Sequence, residues 1–313
     1  MLARLLAGLV AIGLIVTPWE PARAAQTRFE IVEGIPIVDV TIDGRGPFRF
    51  AVDSGATWTI VSPELVRKLN LDIVGMRHVS GAGAEQMEAG QLVLDSLNVG
   101  GAVVKRTVAY SVELPPRLAH PPGFAQVDGL LGETFFHAFV TTLDYETSMI
   151  EFDEVRSFAP PTQAAALPMR LVSGAAVPAV PVQVDGQNTY FELDTGSGSW
   201  PVLTRAFADL GINARYPQGS IQSAQGEGGS FSLRAACVRS FGLGGTQFND
   251  VQMYVQPEDL GITAEGDFGG SFGYAILRDF TVSLDFSNRT VYLTRNLVRA
   301  LPGCTRSLAD KGR

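Results

Sequence analysis

The strongest constraint on this chain is that it repeats itself. The run Ile35-Pro36-Ile37-Val38-Asp39-Val40-Thr41-Ile42-Asp43-Gly44 returns as Val177-Pro178-Ala179-Val180-Pro181-Val182-Gln183-Val184-Asp185-Gly186, shifted by 142 positions. Both copies alternate apolar and polar residues and end in Asp-Gly, the pattern of a half-buried strand entering a hairpin turn. The returning strands lead into matching triplets, Phe50-Ala51-Val52-Asp53-Ser54-Gly55 and Phe191-Glu192-Leu193-Asp194-Thr195-Gly196. From the triplets onward the offset is 141, because the first hairpin loop is one residue longer. Gly129-Leu130-Leu131-Gly132 falls on Gly270-Ser271-Phe272-Gly273, and Phe139, Leu143 and Asp144 fall on Phe280, Leu284 and Asp285. Self-similarity at a nearly constant offset means two like units, each of about 125 residues, an ordinary domain size. The division expected is a first lobe over 25–153, a connector over 154–166, a second lobe over 167–300 and a tail over 301–313. The connector holds Ala159-Pro160-Pro161 and Ala164-Ala165-Ala166, a linker's composition rather than a strand's.

Each unit reads as mostly β. The 34 glycines and 18 prolines follow no fibrous period and read as turns between short strands. Ser62 before Pro63 is a helix start, with the helix running to Leu69, and Thr204 opens its counterpart to Leu210. Further short helices are expected over Glu133–Ala138 and Tyr274–Arg278. Ser80–Ala84 and Ser223–Gly229 read as glycine-rich hairpin tips.

The first 24 residues have the anatomy of an export signal. Arg4 precedes an unbroken apolar run from Leu5 to Val16, and Ala22-Arg23-Ala24 fits the small-residue cleavage rule. The apolar run is too short for a membrane span of roughly 20 residues. A signal peptide over 1–24 places the mature chain outside the cytoplasm, periplasmic or extracellular, with no stable membrane span after cleavage. The first strand follows the leader so closely that no inhibitory pro-segment is expected. Cys237 and Cys304 are the two cysteines, and a disulfide between them or two free thiols both fit. A net charge of −8 gives no basic stripe for nucleic acid.

The two Asp-hydroxyl-Gly triplets, the glycine-rich hairpins after them, and Leu130-Leu131-Gly132 resemble the aspartic proteases, most closely retropepsin-like domains in tandem. The resemblance spans nearly the whole chain after the leader. It implies an all-β fold of two homologous retropepsin-like acid-protease lobes, of closed β-barrel type, with short helices. It implies an aspartic endopeptidase with Asp53 and Asp194 as a catalytic dyad in the cleft between the lobes. Ser54 and Thr195 would bond across the lobes, Gly55 and Gly196 would let the loops turn and offer N–H groups, and Gly132 and Gly273 would pack behind them. A peptide or protein substrate would lie extended in the cleft, and neither metal nor cofactor is called for. The chemistry suits peptide hydrolysis. Two carboxyls held together share one proton, so one can take a proton from water while the other gives one to the scissile carbonyl.

Two departures from the family pattern and one asymmetry between the copies stand out. Ser271-Phe272 sits where two aliphatics are usual, and the first flap, around His78 to Glu88, has no tyrosine. Ser197 follows the second triplet where Ala56 follows the first, which predicts that a hydroxyl donor makes Asp194 the more readily ionised aspartate. Two other readings compete. One is a binding module on the same scaffold that grips peptides or proteins without cleaving them. The other is a serine hydrolase, because Gly269-x-Ser271-x-Gly273 fits a nucleophile elbow. That fold needs a histidine after the serine, and His78, His120 and His137 all precede it.

Overall fold

The computed structural model describes residues 25–80, 86–172, 176–215, 219–226, 229–258, 268–296 and 304. The signal expected over 1–24 lies outside these residues, as does the 301–313 tail apart from Cys304, and as do parts of both glycine-rich tips.

The two lobes are built alike. In the first, eight strands run in the order Glu30–Val32, Ile35–Ile42, Arg45–Val52, Gly129–Leu131, Thr59–Val61, Ala102–Ser111, Gln86–Val99 and Gly75–Ser80. In the second the order is Arg170–Leu171, Pro178–Val184, Gln187–Leu193, Gly270–Phe272, Val202–Leu203, Thr246–Val255, Gly229–Leu243 and Ile221–Gly226. An extra pairing curls each sheet onto itself. Thr41 lies opposite Asn98 in the first lobe, and Val182 opposite Leu243 in the second. Curling hides part of each sheet edge and encloses an apolar interior. Alternation decides which side chains fill it: Val38, Val40 and Ile42 point in while Asp39 points out. Phe50 and Phe191, at matching places, are both fully buried.

A third sheet joins the lobes. Its order is Ala25–Arg28, Met149–Asp153, Val140–Asp144, Phe280–Asp285, Thr290–Arg295 and Ala165–Pro168. The two central strands are equivalents in the repeat and run antiparallel, with Thr142 opposite Ser283. Those two residues are also each other's counterparts at the 141 offset. Thr142 Oγ1 donates to Ser283 Oγ at 2.8 Å, so the axis relating the lobes passes between them.

The connector departs from its expected character at its end, because Ala165–Pro168 is an edge strand paired with Thr290–Arg295. Edge pairing uses backbone groups, and small side chains with a terminal proline are compatible with it. The helices lie near their expected places and are short. Pro63–Leu69 is capped by Ser62, whose Oγ accepts from Leu65 N at 3.2 Å. Thr204 caps only the single turn Arg205–Ala208, and the chain turns away at Gly211, φ 136°. Glu133–Phe136 and Tyr274–Leu277 are one-turn helices. Two more, Pro116–Ala119 and Ile212–Arg215, carry too few residues for a periodic signal. A disulfide joins Cys237 to Cys304, with Cα atoms 6.0 Å apart, and fixes that point of the tail to the second lobe.

Candidate active site

Both triplets sit at the ends of interior strands. In the first lobe, Arg45–Val52 is flanked in parallel by Gly129–Leu131, and Asp53 N donates to Leu131 O at 3.0 Å. In the second, Gln187–Leu193 is flanked in parallel by Gly270–Phe272, and Asp194 N donates to Phe272 O at 3.0 Å. The next residues must turn sharply, and each aspartate shapes its own turn. Asp53 Oδ1 accepts from Gly55 N at 2.9 Å, and Asp194 Oδ1 accepts from Gly196 N at 2.8 Å. A carboxylate two residues before an N–H forms such a bond readily.

The two loops are locked to each other by Ser54 and Thr195, both fully buried. Ser54 N donates to Thr195 Oγ1 at 2.9 Å, and Thr195 N donates to Ser54 Oγ at 3.0 Å. Ser54 Oγ donates onward to Leu193 O, and Thr195 Oγ1 to Val52 O, each at 2.7 Å. Every bond crosses from one lobe to the other. Each hydroxyl uses its one proton and also accepts, so neither is left unsatisfied in the interior.

This lock brings the aspartates to face one another's loops. A methyl group placed on Gly196 would meet Asp53 Oδ1 and Oδ2 at 2.6 and 2.7 Å. One on Gly55 would meet Asp194 Oδ1 at 2.8 Å. Each carboxyl therefore lies against the bare Cα of the opposite glycine, where no side chain fits. Asp53 and Asp194 are half-buried, so solvent reaches both. Gly132 and Gly273 stand behind the loops: a methyl on Gly132 would meet Ala56 O at 2.8 Å, and one on Gly273 would meet Asp194 O at 2.7 Å. The structure thus gathers Asp53, Ser54, Gly55, Gly132, Asp194, Thr195, Gly196, Ser197 and Gly273 into one place. Cys237 and Cys304 pair elsewhere, and Asp144 and Asp285 hold turns by accepting from Glu146 N and Asn288 N, each at 2.9 Å.

Ser197 has a hydroxyl neighbour that the comparison of triplets leaves out. Its Oγ is 3.2 Å from Ser199 Oγ, and Ser199 Oγ donates to Trp200 O at 3.0 Å. With the Ser199 proton committed to that carbonyl, the bond between the two hydroxyls is one that Ser197 donates. Two other groups distinguish the Asp194 side, and sequence reasoning passed over both. Glu192 is buried, and its Oε1 also converges on Gly55, 3.1 Å from a methyl placed there. Tyr145, in the turn between Val140–Asp144 and Met149–Asp153, packs its ring on Phe29 and Tyr274. Its hydroxyl is buried with no hydrogen-bond partner among the described residues. Burial first, and then the nearby Asp194 carboxyl, push that hydroxyl above its usual range. The repeat held a signal for both, since the equivalent positions are Ala51 and Phe286.

Ser271 lies inside the strand Gly270–Phe272, not on a strand-to-helix elbow, which removes the structural basis of the serine-hydrolase reading. Among the described residues, no group of three or more His, Cys, Asp and Glu is arranged to hold a metal ion.

Comparison with known proteins agrees with this geometry. The family model described as aspartyl protease matches twice, over residues 38–135 and again over 180–273, once per lobe. No curated protein matches the chain by sequence. Among solved structures, the aspartic proteinase from Irpex lacteus superposes with a TM-score of 0.53 at 12% identity, covering 88% of this chain and 98% of that one. At that identity the likeness speaks for the fold, and the family match speaks for descent. With both triplets inside the matched regions and more than half of its length covered, the chain belongs to the aspartyl protease family.

Proposed function

We propose that this protein is an exported aspartic endopeptidase that hydrolyses peptide bonds with a water activated between Asp53 and Asp194. The observation that carries this reading is the reciprocal lock. Ser54 and Thr195 exchange backbone and hydroxyl bonds across the lobes, and each aspartate lies against the opposite glycine. Such a frame holds two carboxyls in fixed relation on a rigid base, as proton sharing requires. The ionised member takes a proton from water as it attacks the carbonyl carbon, and the protonated member donates to the carbonyl oxygen. Collapse of the tetrahedral intermediate then returns a proton to the departing amine. Both halves of the site come from one chain, so no second copy is needed to complete it. A peptide substrate would lie extended in the cleft, adding strand-like bonds to the hairpins over it. Export is supported by the leader's charge, apolar run and Ala-x-Ala end. Among the described residues, no helix is long and apolar enough to cross a membrane.

The test is cleavage of a mixed peptide library by the mature protein from pH 3 to 8, beside Asp53→Asn and Asp194→Asn. Cleavage by wild type and its loss in both variants is the expected result. A folded wild type that binds peptides without cutting them would instead establish the binding-module reading.

A further inference from the structure

We propose that Glu192 is a positioning residue that acts through Asp194: its carboxyl biases the shared proton onto Asp194 and extends the active range toward neutral pH. This rests on the endopeptidase reading above.

The case begins with a row of three side chains across the sheet. In the first lobe Ala51 lies in register between Ile37 and Leu130. In the second, Glu192 lies between Ala179 and Ser271. Register neighbours share a face of the sheet. An apolar row Ile–Ala–Leu has therefore become Ala–Glu–Ser: the middle residue grew and acquired a charge while both neighbours shrank. The shrinkage makes room for a carboxyl at a place that is 7% exposed, and Ser271, the family departure noted above, belongs to the same exchange. A buried carboxyl is costly unless something makes use of it or satisfies it.

What surrounds it shows where it acts. Residues alternate faces along a strand, so Glu192 shares its face with Asp194. The Glu192 Oε1 and Asp194 Oδ1 atoms lie 3.1 and 2.8 Å from one point over Gly55. That keeps them within the roughly 4–6 Å over which like charges raise each other's hold on a proton. Titratable or charged groups in this part of the molecule include Asp53 from the opposite loop, Tyr145 and Tyr274, whose rings are 5.9 Å apart, and Arg170, across Ala179 from Glu192 and stacked 3.8 Å over the Tyr190 ring. Tyr145 is held neutral by the upward shift of its hydroxyl, so it adds no charge. Asp53 has Ala51 in the place of Glu192. The negative charge of Glu192 thus falls unequally on the pair. It makes Asp194 the proton-holding acid, leaves Asp53 as the base, and delays the loss of the shared proton as pH rises. This reverses the asymmetry that Ser197 suggested.

The decisive measurement is the pH dependence of kcat/KM for wild type and Glu192→Gln. The glutamine keeps size and polarity and removes the charge. The alkaline limb of the variant should move to lower pH by about one to two units, the size expected for charges ~6 Å apart at an effective dielectric of about 20. Activity on the acid side should remain. A profile that keeps its position and only scales in height would mean a packing role and would sink the proposal. A second readout needs neither the variant nor cleavage. Carbon-13 NMR titration of the wild-type carboxyls should show Glu192 and Asp194 titrating together, with a midpoint above the ordinary carboxylate range. Independent, ordinary midpoints for both would overturn the proposal. Coupled midpoints in a protein that cuts no peptide would leave the carboxyl coupling standing and count against the endopeptidase reading alone.

Discussion

Four hydrogen bonds around Ser54 and Thr195 decide whether two lobes make one site. Ser54→Ala would leave Thr195 N and Leu193 O without their partners in the interior, at a cost of ~1–3 kcal/mol for each orphaned group. Urea denaturation should show a clear loss of stability, whereas Thr195→Ser, which keeps both bonds, should lose far less. Equal losses would mean that the hydroxyls are not the lock. Gly196→Ala tests the approach of the carboxyl. The added methyl would sit 2.6 Å from Asp53 Oδ1, so the carboxyl has to move. Peptide cleavage is expected to fall by at least about 100-fold, the scale of an ångström's misplacement in an active site, while circular dichroism still reports a folded protein. At this scale the sequence was a good guide to the triplets, because the same residues occur twice at one offset. It carried no sign of the Ser197–Ser199 hydroxyl contact, because a triplet comparison ignores such neighbours.

Local signals placed the elements well and their ends less well. Ser62 and Pro63 announce a helix from two residues, and the cap is present as read. Ser62→Ala should cost about 1 kcal/mol of stability, visible as a small shift of the denaturation midpoint with activity intact. The Thr204 helix closes after one turn ahead of the bend at Gly211, and the connector ends in a strand because its partner, Thr290–Arg295, is distant in sequence. The joining sheet offers a test of pH dependence at Asp153, the last residue of Met149–Asp153. Burial raises its pKa above the usual aspartate value. The folded state therefore binds this proton more tightly than the unfolded chain does. Its contribution favours folding at acid pH and is lost as pH rises through the raised value. Asp153→Asn should flatten stability in that window and slightly raise it at neutral pH, as read from urea midpoints between pH 3 and 7. The group is only half-buried, so the effect should be small.

For the molecule as a whole, the disulfide between Cys237 and Cys304 closes a loop of 67 residues in sequence. Replacing both cysteines with serine should lower thermal stability by at most ~4 kcal/mol in the chain-entropy account. It should leave kcat/KM nearly unchanged, since neither cysteine is among the residues gathered at the site. A large loss of activity in a folded variant would show that the tail supports the cleft. Two-lobed architecture, the equivalence of Asp53 and Asp194 in the repeat and the β-rich plan of each lobe were all determined by the sequence alone. A repeat forces equivalent strands to the same depth, and alternation fixes which face is buried. Only the tertiary structure put the symmetry axis between Thr142 and Ser283, brought Tyr145 near Asp194, and set Glu192 beside Ser271. The last two are adjacent across a parallel pair of strands yet 79 positions apart in the chain. Linear order records what each strand is made of. Register between strands decides which side chains sit side by side, and the same register that sets Ala51 against Leu130 in the first lobe sets Glu192 against Ser271 in the second.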